Sequence, residues 1–498
     1  CFDVTFQEMK IQNFLTIVTA SIECVFFAGI IYGWPSLEFV LIKEGYFSYL
    51  CNGTSKNSTL YTTTGNKTLS CPASNSKLNL VFTIGTSTMM ILLPVGGYIF
   101  DRFGTWVHRT GATCMLTVGV AVMAIATPDT AELLFIGVTL IGIGGLNLLI
   151  SNIKVAALCP SFRASFVTLY NGSYDSGAIM FFIFKTLHDS GLYKLKDILI
   201  VYCFCTLYCW VTTYTLRPKK WFSETEDQPK YGIFQWGSKC GKEKDDSKET
   251  DRILGQDNED NTTELPNSDV ENELDNRSLK ECICTNMFLT TQIFMSLLNL
   301  IVVYFLGSYE TWLKSFVKPN EVSTLTSILG VLLLLGIVVA PLNGLTTDLV
   351  MKLCLKIGYN RYKSTWLGLF TATTISTLFG VLFTLCLALH QVYPAFFFFI
   401  LMRSFLYASN TAVIAIAFPA RHFGTLLGIS MMIAGITALG QFGIFFLAVK
   451  YDPHFSTINY IMIGVAGLTI VHPLDVLIFL HLNLAFHQRK PGVTTSES

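Results

Sequence analysis

The stretch GYIFDRFGTWVHR, Gly97 to Arg109, follows an apolar run and gathers two glycines, one acid and two arginines into a short turn. A charged knot beside a greasy helix belongs at the mouth of a membrane span, where backbone polarity ends and water begins. Composition agrees. Of 498 residues, 51% are hydrophobic and 14% charged, and the charges are bunched rather than spread as a water-soluble surface requires. A formal net charge of zero gives no footing for nucleic acid. The 14 cysteines show no zinc-type spacing, and most lie inside apolar runs as small buried hydrophobes.

Working outward from the knot, the chain divides into twelve apolar segments of spanning length, since a helix needs roughly 20 residues to cross about 30 Å of hydrocarbon. They fall near 14–37, 78–100, 109–127, 132–158, 164–187, 196–216, 286–308, 322–345, 364–388, 393–417, 424–449 and 458–483. The first reads as a span rather than a cleaved signal, because Gly29 to Pro35 leads into a polar loop without a small-residue cleavage site.

Two long loops fix an expected orientation. Residues 38–77 hold glycosylation sequons at Asn52, Asn57 and Asn66 between Cys51 and Cys71, which marks that loop as extracellular and the cysteine pair as a disulfide closing it. Residues 217–283 open with RPKK and then turn acidic, with 16 of the chain's 34 carboxylates in 221–280, and read as a solvated, disordered cytosolic linker. The sequons at Asn261 and Asn276 should then carry no glycan. Arg102, Arg109, Arg163, Lys352, Arg361, Arg421 and Arg489 share the linker's side, as the positive-inside rule expects of cytoplasm. Lys194, Lys196, Lys314 and Lys318 stand on the other side. The balance places both termini, including the tail 486–498, inside the cell.

Six spans, a linker and six more spans suggest duplication. Gly97 and Asp101 of GYIFD recur as Gly344 and Asp348 of GLTTD, each after the second span of its half. Ser151 and Asn152, followed by VAALCP, answer Ser409 and Asn410, followed by IAIAFP. The fold class expected is an all-α polytopic membrane protein of two six-helix halves, 1–216 and 284–485.

Gly97, Asp101, Arg102 and Gly104 resemble the signature loop between the second and third helices of the major facilitator superfamily. The resemblance implies a gating latch in which Asp101, with Asp348 beyond Gly344 in the second half, meets bases on the closed cytosolic side. Thr105 and Trp106 stand where that family has a basic pair, so Arg109 and Arg163 are the bases left to serve it. Within the superfamily, GWPSLEFV, YFSYLC, GYIFDRFGT, LYNGSYDS, RSFLYASN and FPARHFGTLLG resemble family 43 of the solute carriers. That family holds uniporters of large neutral amino acids and an equilibrative nucleobase carrier. Asn171, Asp175 and Asn410, within LYNGSYDS and RSFLYASN, resemble the nucleobase branch.

Ionisable and amide side chains inside membrane helices are expensive and usually face the bundle interior. Glu23, Asn152, Asn171, Asp175, Arg403, Tyr407, Asn410 and Gln441 are therefore the candidate substrate-binding residues. Asn171 and Asp175 share one helical face, as do Arg403, Tyr407 and Asn410. A purine base presents donors and acceptors in one plane, which suits amides and carboxylates at its edge and aromatic faces above it, for which Tyr32, Trp34, Tyr170 and Tyr407 are candidates. Glu23 and Asp175 are the acids a proton-driven carrier would titrate, with Arg403 placed to pair with one of them. Neither stands in a relay of acids and histidines, so facilitated diffusion is expected. No nucleophile with its base, metal-ligand spacing or phosphate-binding glycine loop appears, so no enzyme, metal or cofactor is expected. The expected partners are a small-molecule substrate, a purine nucleobase, and the lipid bilayer of the plasma membrane.

Overall fold

The computed structural model describes residues 11–51, 59–63, 66–155, 163–217, 277–419, 422–452 and 455–488. Asn52, Asn57, Arg421 and most of the acidic segment lie outside the described residues, as do the side chains of Asp101 and Arg163. Apolar runs bounded by Gly, Pro and Asn build the helices, because only helices satisfy every backbone polar group within a bilayer.

In the first half, α1 is assembled from Ile11–Glu23, a π-helical Cys24–Ala28, a 3-10 turn Ile30–Gly33 and Trp34–Glu44. It runs past the end its hydropathy suggests and stops where Gly45 takes φ 84°, a left-handed cap that costs glycine nothing. A hairpin follows, β1 Thr59–Thr63 paired antiparallel with β2 Asn66–Ser70, Thr59 opposite Ser70 and Thr63 opposite Asn66. The Cys51–Cys71 disulfide closes the loop that carries it. Closing a loop over a separation of 20 residues removes denatured-state entropy equivalent to about 3 kcal/mol. Then come α2 (Pro72–Ile91 and Leu93–Phe103), α3 (Thr105–Ile125), α4 (Leu133–Val155), α5 (Arg163–Ser176 and Ile179–Asp189) and α6 (Leu195–Cys205 and Leu207–Thr215).

In the second half, a short helix Leu279–Ile283, capped by Ser278 and Glu281, leads into α7 (Asn286–Lys314). There follow α8 (Pro319–Leu332, a turn Leu333–Leu335, then Gly336–Lys356), α9 (Arg361–Ala388), α10 (Val392–Ala417), α11 (Phe423–Ala438 and Gly440–Tyr451) and α12 (Ser456–Leu468 and Val471–Gln488). Short connections such as the single Gly104 between α2 and α3, at φ 84°, fold each helix back on its predecessor.

Ten of these helices are long and apolar enough to cross a membrane, and α1 makes eleven when its two arms, bent by 43°, count as one span. The twelfth segment expected from the sequence is α5, whose first arm, RASFVTLYNGSYDS, is too polar to pass on composition and is broken from its second near Gly177. Its polar residues have places inside the bundle instead of at its rim, as described below. One continuous core runs through both halves, from Leu37 and Val138 in the first to Phe305, Phe383 and Phe399 in the second. A smaller cluster around Cys282, Trp366, Val413 and Val476 closes the second half beside the segment that joins the two.

Candidate functional site

The polar residues singled out in the sequence separate into distinct groups. Central among them is a cluster in which both halves meet. The crossing of α1 and α5 sets it up: a Cβ added to Gly29 would lie 1.7 Å from the Tyr174 carbonyl oxygen, so only glycine lets the two backbones touch there. That contact brings Tyr32 of α1 edge-to-face with Tyr174, ring centroids 5.7 Å apart. Beside Tyr174, Asp175 Oδ1 stands 2.9 Å from Arg403 Nη2 of α10, an ion pair across the halves. The Arg403 guanidinium lies 4.1 Å over the centre of the Tyr32 ring, a cation–π contact. One turn along α10, Tyr407 donates through its hydroxyl to Asn299 Oδ1 of α7 at 2.9 Å. Asn299 Nδ2 reaches back to Met90 Sδ of α2 at 3.6 Å.

Tyr32, Arg403 and Asn299 are at most 1% exposed, and Asp175 is 6% exposed. Among the described residues, Nε and Nη1 of Arg403 have no hydrogen-bond partner. Buried donors of this kind are unfavourable unless something else satisfies them, which is what a ligand does. The chemistry on offer is a charge-balanced pair, donors in excess and aromatic faces, set where the two halves abut.

Glu23 and Asn152 belong elsewhere. Glu23 Oε1 and Oε2 accept from Arg109 Nη2 at 2.7 and 2.8 Å, and Oε2 also accepts from Arg217 Nη2 at 3.1 Å. Thr212 donates to the same carboxylate, and Arg109 Nη1 donates to Asn152 Oδ1 at 2.8 Å and the Ser151 hydroxyl at 2.9 Å. This knot ties α1, α3, α4 and α6 within the first half, away from the interface of the halves. Arg109 is therefore not a base of the latch: its guanidinium is fully buried against Glu23, because a carboxylate at that depth demands a cation. Arg217, expected to open the solvated linker, is also drawn inward and donates to the Thr16 carbonyl at 2.8 Å.

The remaining candidates scatter. Asn171, half-buried, donates to the Val167 carbonyl of its own helix at 3.0 Å. Asn410 Oδ1 accepts from Ser430 at 3.3 Å. Gln441 joins Asn79 and Thr83 of α2. Trp34 stacks on Phe82 at 5.4 Å, and Tyr170 lies near Phe166. In the latch region, Arg102 is exposed and donates to the Tyr98 hydroxyl at 2.9 Å, and Asp348 is exposed. Among the described residues, a Cβ at Gly97 would meet nothing within 4 Å and one at Gly344 only Thr168 at 4.0 Å, so neither glycine serves a close approach to a described helix in this conformation. Asn299, Asn79 and Arg217 were missed from the sequence. A lone Asn in an apolar run was the available signal for Asn299, whereas Asn79 follows the polar SNSK and gave none.

Removing Glu23 leaves two buried guanidinium groups uncompensated. Glu23→Gln should lower stability by about 3–5 kcal/mol, the range for breaking a buried ion pair. The readout is the thermal unfolding midpoint of the purified protein in detergent, and a midpoint equal to the parent's would contradict this assignment.

Comparison with known proteins places this geometry in context. The model of the Major Facilitator Superfamily matches residues 45–440. The chain is similar to equilibrative nucleobase transporter 1 of Bos taurus, 28% identical over 476 residues, covering 92% of this chain and 94% of that one. It is also similar to large neutral amino acids transporter small subunit 3 of Mus musculus, 26% identical across 90% of this chain and 91% of that one. The Homo sapiens protein of the same name is 24% identical, with 93% of each chain covered. The resemblance read from GYIFDRFGT, LYNGSYDS and RSFLYASN is borne out at the level of the family, and the chain belongs to the Major Facilitator Superfamily: it is a multi-pass membrane transporter of a small molecule, not an enzyme.

Proposed function

We propose that the protein is a facilitative transporter of purine nucleobases such as adenine, guanine and hypoxanthine, working by alternating access across the plasma membrane. The observation that carries this reading is the Asp175–Arg403 pair, 2.9 Å apart, with Tyr32 beneath the guanidinium. Because the two charges cancel within the protein, the site suits a neutral cargo. A flat heterocycle satisfies the unpaired guanidinium N–H groups with its ring acceptors, takes a hydrogen bond at its edge from Asn299 Nδ2, donates one to the Tyr407 hydroxyl oxygen, and stacks on tyrosine. The similarity to the bovine nucleobase transporter over 92% of the chain supports the same choice. A zwitterionic amino acid is the alternative, suggested by the two similar amino-acid transporters. It would have to part Asp175 from Arg403 to give each of its charges a partner, and separating a buried pair is costly.

The pair also bears on energy coupling. Arg403 supplies the countercharge that a captured proton would otherwise supply, so the cycle needs neither protons nor sodium. We place Asn171 and Asn410, one turn from Asp175 and Tyr407 respectively, on the route between the site and the cytosol. The loop with the Cys51–Cys71 disulfide is extracellular in this reading, since disulfides persist in oxidising compartments. Asp101, Arg102, Arg163 and Asp348 then lie at the cytosolic end as the latch, and both termini and the acidic segment face the cytosol.

Uptake measurements test the substrate. In expressing cells, radiolabelled adenine, guanine or hypoxanthine should enter faster than in controls, and excess leucine should not compete. Asp175→Asn should reduce that uptake at least about tenfold, a loss equivalent to roughly 1.4 kcal/mol, with surface expression retained. Saturable leucine uptake without purine uptake would replace this reading with the amino-acid one. For orientation, removing Asn52, Asn57 and Asn66 together should abolish a glycosidase-sensitive mobility shift, while changes at Asn261 and Asn276 leave it intact. A shift that survives the triple change would reverse the topology.

A further inference from the structure

Away from the Asp175–Arg403 site, α2, α7 and α11 meet in a buried knot of amides. Gln441 of α11 donates through Nε2 to Asn79 Oδ1 at 3.2 Å and to the Thr83 hydroxyl, both on α2. Asn79 in turn donates through Nδ2 to the Gly307 carbonyl of α7 at 2.7 Å. Asn79, Thr83 and Gln441 are at most 1% exposed. Gly307 is what lets α7 come so near: a Cβ there would lie 2.8 Å from Asn79 Nδ2 and 3.0 Å from Phe82. The knot joins the first half to the second, and it lies toward the disulfide-bearing end. Asn79 is about two turns into α2 from Pro72, and Gly307 about two turns before α7 ends at Lys314. Nearer that end, Lys185 of α5 makes a second crossing, donating to Ser323 and Ser327 of α8 at 2.9 Å each.

We propose that Gln441, Asn79 and Gly307 form the bolt of the outer gate, made when the halves close at the disulfide-bearing end and broken each time they part there. The proposal rests on alternating access and on that end facing outward, and not on the identity of the cargo. Neutral amides suit the task. When the seam parts, water replaces each lost partner, so opening and closing stay near balance. A desolvated salt bridge would bias the seam more strongly. Gln441→Leu leaves Asn79 and Thr83 underpaired only in the closed seam, since water satisfies them in the open one. Gly307→Ala inserts a methyl group that the closed seam cannot accept. The two changes differ in chemistry and push in one direction, toward the outward-open state.

Ser87 provides a reporter. It is fully buried about one turn deeper than Thr83, its hydroxyl has no partner among the described residues, and its carbonyl lies 3.0 Å from a Cβ built on Gly435 of α11. Intact cells expressing the full chain with Ser87→Cys are exposed to a membrane-impermeant maleimide. Labelling is corrected for surface amount and for the parent chain's own cysteines. Adding Gln441→Leu or Gly307→Ala should raise the labelling rate about 5- to 10-fold, as a population shift of that size requires. Labelling that is unchanged or slower with both changes, in intact cells and inside-out vesicles alike, overturns the proposal. If Gln441→Leu fails to reach the surface, Gly307→Ala alone decides. A rise seen only in inside-out vesicles supports the bolt and reverses the orientation. The assay needs no substrate, so its outcome stands whether or not purine uptake is found.

Discussion

The ion pair between Asp175 and Arg403 is the contact around which the rest of the molecule is arranged. Two opposite charges buried at the junction of the halves are tolerated only because each compensates the other, and removal of either leaves an isolated charge in a low-dielectric interior. The pair also joins α5 of the first half to α10 of the second. On the side of the first half it is placed by backbone geometry: the break in α1 at Gly29, the break in α5 near Gly177, and the touching of the two backbones between them. Tyr32 and Tyr174 owe their positions to the same crossing.

Polar groups elsewhere divide by whether they lie within a half or between halves. The knot of Glu23 with Arg109 and Arg217 lies wholly within the first half, uses charged and bidentate bonds, and holds four helices as one body. The contacts that cross between halves on the disulfide side include the neutral bonds of Gln441 and Asn79 and the Lys185–serine contacts. At that end, exchangeable bonds between the bodies suit a rocking transporter, because contacts between the bodies rather than those within them have to break in each cycle.

Much of this was legible in the sequence. Spans, the duplication and the charged turn at Gly97 follow from hydropathy and spacing, and Asp175, Arg403 and Tyr407 stand out as polar residues that a bilayer would reject. What the sequence hid was partnership. Arg109 and Glu23 lie far apart in the chain, and nothing local says that the arginine of the signature turn points inward to a glutamate rather than outward to Asp101. Arg217 looked like linker because RPKK is basic and abuts an acidic run, yet its side chain completes that same knot. Asn299 sits in LLNLIVV, where one amide amid apolar residues gives no hint that Tyr407 will donate to it. α5 illustrates the reverse: 164–187 reads as a span in the sequence, and the polarity that keeps its first arm from passing as one on composition is what supplies Asp175 to the candidate site.

The central claim is that a charge-balanced site moves a neutral cargo downhill, with Arg403 in the place of a proton. Purified protein in liposomes tests it without cellular enzymes to trap the product. Under an imposed proton or sodium gradient, labelled adenine should rise inside only to the outside concentration and stop there. Adenine held above the outside level while the gradient lasts would contradict the account.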